Sequence, residues 1–146
     1  MKVEVSRAEN ALARNDFNEA SRLAGAVSRE LSASSARDYM KWLEARAALV
    51  QGLADLRLGH PSDALPLLQR AVELRQAITD PVSPLLAFAQ VELALCYLDL
   101  GDSAKAKDLA DTARKALDSH RELGVQYLKP LHELEQRLKA SPHKRA

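Results

Sequence analysis

Three stretches of the 146-residue chain share one ladder of small residues, and this repeat constrains the fold more than any other feature. Within each copy the rungs are separated by seven, five and seven residues, and the copies begin 44 and then 42 residues apart. The rungs are Ala8, Asn15, Ala20 and Val27, then Gly52, Gly59, Ala64 and Ala71, then Ala94, Gly101, Ala106 and Ala113. Self-similarity at such a period indicates a helical-repeat array, in which each unit buries its apolar face on a neighbour. The ladder therefore predicts a binding protein rather than a catalyst.

Composition favours an all-α fold and limits the classes of partner that the chain is expected to bind. The chain is rich in Ala and Leu, which are strong helix formers, whereas aromatic residues make up only 4%. A net charge of +1 with both signs interspersed argues against nucleic acid and anionic membrane surfaces as partners. A single cysteine, Cys96, excludes an intramolecular disulfide and fits a reducing compartment. Since we find neither a signal peptide nor an apolar run of spanning length, the sequence predicts a cytoplasmic protein.

Helix-stop and helix-start signals fall between the rungs. Asp16 with Glu19 reads as a capping box, Gly59 precedes Pro61, and Gly101 is followed by a potential N-cap. The predicted helices are 2–14, 17–31, 36–58, 61–78, 84–100, 103–118 and 121–139. They form one domain, 1–140, with hairpins 2–31, 36–78 and 84–118, a capping helix 121–139 and a polar tail 141–146.

The repeats resemble the tetratricopeptide repeat. The resemblance is carried by Leu58-Gly59-His60-Pro61-Ser62-Asp63-Ala64-Leu65, by Leu100-Gly101-Asp102-Ser103-Ala104-Lys105-Ala106, and more weakly by Arg14-Asn15-Asp16-Phe17-Asn18-Glu19-Ala20. The period exceeds the usual 34 residues, as in the extended repeats of kinesin light chains and bacterial signalling proteins. The resemblance implies a right-handed superhelical array of three antiparallel helix hairpins plus a C-terminal capping helix. It also implies a protein-interaction scaffold with a concave groove. Asn15 at a turn-glycine position and the absence of a Trp at each repeat start depart from the pattern.

The groove that the resemblance implies is lined by the first helix of each hairpin. In the second hairpin its residues are Trp42, Arg46, Leu49, Leu53, Leu56 and Arg57. In the third they are Phe88, Val91, Leu95, Leu98 and Asp99, and in the first Lys2, Val5, Glu9 and Leu12. The Asn and Lys residues with which some family members grip a C-terminal carboxylate are missing at these positions.

Each of these residues also has a plainer interpretation. Trp42 either anchors a ligand or packs on the preceding hairpin, and Arg46 and Arg57 either pair with an acidic ligand or belong to a solvated helix face. The leucine and valine row is either a ligand platform or a face that the chain or a second copy covers. Cys96 reads as a buried, inert thiol.

Enzymatic chemistry and cofactors are not expected. His132-Glu133 begins a zinc-protease motif, but Gln136 stands where the second histidine must be. We find no glycine-rich phosphate loop, and the carboxylates of the last helix lie on different faces. The sequence thus predicts a non-enzymatic adaptor that binds a protein or peptide and holds no metal or cofactor.

Two further expectations concern oligomeric state and the last helix. Met1 leads straight into a helix, which suggests an alternative function. The chain would then be a regulatory or oligomerisation module of a larger bacterial signalling or transcription-regulatory protein. Its groove would be self-occupied, and a homodimer would be one possible form. The last helix carries an apolar stripe that we expect to pack on the third hairpin near Leu109 and Ala113, with Tyr127 at the border. The stripe consists of Val125, Leu128, Leu131, Leu134 and Leu138.

Overall fold

The structure, a computed structural model, describes residues 2–33 and 38–140. Within these ranges it contains seven α-helices and no strand, which confirms the all-α class. The helices are α1 Lys2–Ala13, α2 Phe17–Ala33, α3 Asp38–Arg57, α4 Pro61–Ile78, α5 Pro84–Asp99, α6 Ser103–Asp118 and α7 Val125–Ala140. The handedness of the array stays a prediction. The predicted start of the third helix at 36 and the tail 141–146 lie outside the described residues.

Helix ends fall at the predicted signals. Asn15, Gly59 and Gly101 all adopt positive φ, of 61°, 83° and 86°, in the left-handed region where helices commonly terminate. The next helices are then capped: Asp102 Oδ1 accepts a hydrogen bond from Lys105 N–H, and Asp16 Oδ1 accepts one from Glu19 N–H. A full capping box would also have the Glu19 carboxylate accept a hydrogen bond from the backbone N–H of Asp16. Here that carboxylate accepts hydrogen bonds from Arg22 instead.

The predicted start of the last helix at residue 121 was wrong. Leu123 N–H donates to the carbonyl of His120 in a turn, and α7 begins only at Val125. Gly124 accounts for the delay, since glycine costs about 1 kcal/mol relative to alanine inside a helix. The turn gives the chain room to change direction between α6 and α7.

The chain divides into two compact units, Met1–Thr79 and Asp80–Ala146. In the first unit α3 is central, because it packs against α1, α2 and α4. In the second unit α5 and α6 form a hairpin, and α7 packs on both of them. That the whole chain forms one domain stays a prediction.

Small ladder residues lie where helices approach closely. Ala20, Ala64 and Ala106 are fully buried. At Gly52 an added Cβ would lie 2.7 Å from Leu68 Cδ2 and 2.8 Å from Leu68 Cγ. Since Leu68 is itself fully buried on α4, it has no open space into which to move. α3 and α4 therefore cross closely at Gly52, and the glycine sets their separation.

Helix α7 covers the second unit, as its apolar stripe predicted. Leu131 and Leu134 are fully buried, and Arg114 of α6 forms an ion pair with Glu135. Val125, by contrast, is 80% exposed, so the expectation that the whole stripe packs was wrong at its first residue. Val125 opens α7 directly after the turn, and the buried part of the stripe begins farther along the helix.

His120 joins two loops of the second unit through both ring nitrogens. Nε2 lies 2.7 Å from the carbonyl oxygen of Val82, and Nδ1 lies 3.0 Å from Glu122 Oε1. Both partners are acceptors, so satisfying both contacts requires a doubly protonated ring. The hydrogen bond to Glu122 is the main cause that raises the pKa of His120; the Val82 carbonyl and the charge of Asp80 raise it further.

Replacing Gly52 with alanine should destabilise the first unit. The gain in helix propensity is outweighed by the clash with Leu68, and we expect a loss of about 1–3 kcal/mol in the free energy of unfolding. Chemical denaturation measures it. The matched control is Gly25→Ala in α2, because a Cβ there would meet the end of the Gln51 side chain, at 3.1 Å. Equal stability of both variants would contradict the close crossing.

The His120 contacts should make stability depend on pH in one direction. Folding raises the pKa of His120, so its contribution to the free energy of unfolding is complete below about pH 6.5, the unperturbed pKa of histidine. This contribution is lost as the pH rises through the pKa of the folded state. His120→Gln should therefore lower the thermal midpoint more at about pH 5.5 than at about pH 8.5. Glu122→Gln should lower the pKa of His120 in an NMR titration. A ring that titrates alike in both proteins would contradict the assignment.

Candidate interaction surface

One face of α3 carries most of the predicted groove residues of the second hairpin. Because α-helical neighbours on a face recur at three and four residues, a stripe runs along this helix. The stripe comprises Trp42, Arg46, Leu49, Leu53 and Arg57, and we name it the Trp42 surface. Trp42 is 46% exposed, Leu49 and Leu53 are half-buried, and Arg57 is exposed. The surface therefore combines a large aromatic ring, two aliphatic side chains and positive charge.

The structure places Leu56, the sixth predicted residue of this group, in the core. Leu56 lies one helical turn after Gly52, on the side of α3 that faces α4. The sequence pattern assigned it to the groove because its angular position borders the stripe. The actual edge of the surface thus falls between Leu53 and Leu56.

Arg46 links the Trp42 ring to α1. Its guanidinium carbon lies 4.9 Å from the ring centroid, at cation–π distance. The same guanidinium donates to both carboxylate oxygens of Glu9 on α1, from Nε at 2.8 Å and from Nη2 at 2.6 Å. These hydrogen bonds are the main cause that raises the pKa of Arg46. An acidic ligand would therefore have to compete with Glu9 for this arginine.

A second arginine lies beneath this surface. Arg75 of α4 is buried, and burial lowers its pKa, as does the like charge of Arg46, while the charge of Glu9 opposes the shift. Glu9 thus compensates positive charge from two helices at once. The hydropathy pattern did not reveal Arg75, because an arginine in a helix ordinarily extends into solvent.

The predicted first-hairpin positions divide between core and surface. Val5 is fully buried, Leu12 is half-buried, and Lys2 is exposed. Only Glu9 among them reaches α3 through an ion pair, the one with Arg46. The first hairpin therefore contributes charge rather than apolar area to the Trp42 surface.

In the second unit most of the predicted groove residues lie in the core or contact α7, and Leu98 is half-buried. Val91 and Leu95 lie in the core. Phe88 stacks on Tyr127 of α7, with ring centroids 5.7 Å apart and planes inclined by 14°. Asp99 accepts a hydrogen bond of 2.6 Å from Arg137 Nη2, also on α7. Apolar spacing on α5 alone could not distinguish an open groove from a face that a later helix occupies.

Reactive groups are either buried or dispersed. Cys96 is fully buried, and burial raises the pKa of its thiol to about 11, with a smaller contribution from Asp99. Among the described residues, no three His, Cys, Asp or Glu side chains converge as a metal site requires. None of the described helices combines the length and apolarity needed to cross a bilayer.

Comparison with protein families identifies the repeats. The family model described as "Tetratricopeptide repeat" matches residues 43–130, which is more than half of the chain. The chain belongs to the tetratricopeptide repeat family. A search of curated proteins finds no matching sequence. Tetratricopeptide repeats are non-catalytic and generally mediate protein–protein interactions. The matched residues include α3 from Leu43 onwards, and this part of the helix carries most of the Trp42 surface.

The link between Glu9 and the Trp42 ring can be tested by fluorescence, because Trp42 is the only tryptophan. Glu9→Gln should release Arg46 from its anionic acceptor and change the Trp42 emission spectrum. The loss of stability should stay at or below about 1 kcal/mol, since the ion pair is partly exposed. Glu30→Gln, an exposed change on α2, serves as control. Unchanged emission in Glu9→Gln would contradict the coupling.

Proposed function

We propose that the protein is a non-enzymatic adaptor that binds a protein or peptide segment on the Trp42 surface. The observation that carries this proposal is the exposed Trp42 ring, against which Arg46 lies while Glu9 binds the arginine. A preoriented aromatic side chain loses little conformational entropy on binding. Tryptophan and arginine are also the residue types most enriched among binding hot spots.

The rest of the surface suits an extended or helical polypeptide. Leu49 and Leu53 lie between Arg46 and Arg57 on one stripe, so apolar contacts are flanked by charged groups at both ends. This order resembles the apolar centre and polar rim of protein interfaces. A net charge of +1 supports a protein partner rather than nucleic acid, and the single cysteine supports a reducing, cytoplasmic location.

Selection from a displayed peptide library against the full chain tests the proposal. Selected peptides should change Trp42 emission on binding, because the ring would leave water. Trp42→Ala and Leu53→Glu should weaken binding by at least about tenfold, equivalent to roughly 1.4 kcal/mol. Both residues are partly exposed, so the melting temperature should change little.

The matched control is Val125→Glu, which introduces the same charge at an exposed apolar residue of α7. This variant should keep full affinity for the selected peptides. If it weakens binding as much as Leu53→Glu does, or if Leu53→Glu binds normally, the Trp42 surface is not the binding site. Leu95→Glu is unsuitable as a test, because Leu95 is buried and its loss would unfold the second unit.

A second candidate function is favoured by the covered face of α5. Phe88 and Asp99, two of the predicted groove residues outside the core of the second unit, both contact α7. Such self-coverage suits a regulatory or oligomerisation module whose binding face is occupied by its own chain or by a second copy. Light scattering at two concentrations separates the candidates. A strict monomer that binds a selected peptide supports the adaptor, and a concentration-dependent dimer without peptide binding supports the module.

A further inference from the structure

A small cleft lies between α1 and the first two turns of α2. Its volume is about 130 Å³, roughly the space of four water molecules. Arg7, Asn10 and Arg14 line it from α1 and the residue that follows it, at spacings of three and four residues that place them on one face. Glu19 and Leu23 line it from α2. Two arginines and one asparagine therefore border one small volume.

The two arginines keep their hydrogen-bonding capacity. Among the described residues, neither Arg7 nor Arg14 forms a side-chain hydrogen bond or an ion pair within 4.0 Å. Glu19 is already satisfied, because Arg22 donates to both of its oxygens at 2.7 Å. These hydrogen bonds are the main cause that lowers the pKa of Glu19, and the charges of Arg7 and Arg14 lower it further.

The lining of the cleft carries more positive than negative charge. Glu4, one turn before Arg7, is a second carboxylate whose pKa the charge of Arg7 helps to lower. Of the residues that line the cleft, Arg7 and Arg14 are positive and Glu19 alone is negative, and Glu19 is paired with Arg22. A guanidinium offers several N–H groups in a planar fork that matches phosphate oxygens in pairs. A phosphate carrying two negative charges can neutralise both arginines, whereas one carboxylate neutralises a single arginine.

We propose that this cleft is a phosphate-binding site that takes inorganic phosphate or a phosphate monoester. Arg7 and Arg14 approach the anion from either end, and the Asn10 amide donates between them. At 100° per residue, Glu9 lies well round the helix from all three, facing Arg46 on α3. The site is therefore separate from the Trp42 surface and does not depend on the proposed adaptor function.

NMR titration of the full chain with inorganic phosphate, and separately with O-phosphoserine, tests this proposal at constant ionic strength. The Nε–H signals of Arg7 and Arg14 and the Asn10 amide should shift and saturate. Arg7→Gln and Arg14→Gln should each weaken the apparent affinity about tenfold. Glu19→Gln should strengthen it, because this change removes a carboxylate from the cleft and releases Arg22.

Arg29→Gln is the matched control, since Arg29 is an exposed arginine of α2 that does not line the cleft. It should change the affinity by less than about twofold. A tighter complex with O-phosphoserine would indicate a phosphorylated side chain as the source, and equal or tighter binding of inorganic phosphate would indicate the free anion. Equal loss in Arg29→Gln and Arg7→Gln, or identical shifts with acetate, would overturn the proposal.

Discussion

The close approach of α3 and α4 is the interaction on which the first unit depends. It requires a residue without a side chain at Gly52, because Leu68 already fills the space that a Cβ would take. The same side of α3 buries Leu56, while other faces of the helix pack on α1 and α2. A helix held by three neighbours can leave its remaining face to solvent without losing its position. The exposed stripe that begins at Trp42 is a consequence of that packing.

The packing of α1 and α4 on α3 also brings Glu9 close to Arg46 and Arg75. Burying Arg75 on α4 has a desolvation cost, and the carboxylate of Glu9 reduces it while also binding Arg46. Arg46 in turn lies against the Trp42 ring. The orientation of the exposed aromatic side chain is thus linked, through two polar contacts, to how α1 sits on α3. Under the proposed function, recognition and stability share these residues, so a change at Glu9 is expected to affect both.

The sequence predicted the repeats well because their signals are local. Gly59 and Gly101 end helices through a backbone conformation that glycine adopts readily, and the buried alanines recur with the ladder. It predicted the site less completely because burial is not local. Spacing placed Leu56, Val91 and Leu95 on the groove face, yet packing against other helices buries them. Tyr127 belongs to α7, far beyond Phe88 in the chain, so no pattern within α5 could reveal that stacking contact.

The corresponding faces of α3 and α5, the first helices of the second and third hairpins, differ in exposure, and this explains why only the face of α3 is proposed to bind a partner. In the second unit α7 supplies a stacked ring and an ion pair to α5, so a ligand there would first have to displace them. In the first unit nearly half of Trp42 stays in water, which forgoes about 2 kcal/mol of burial. A partner that covers the ring would recover that free energy without breaking a contact. For the proposed binding function α3 is therefore the better candidate, because no described helix of the first unit covers the ring, whereas on α5 the chain has already made the interaction.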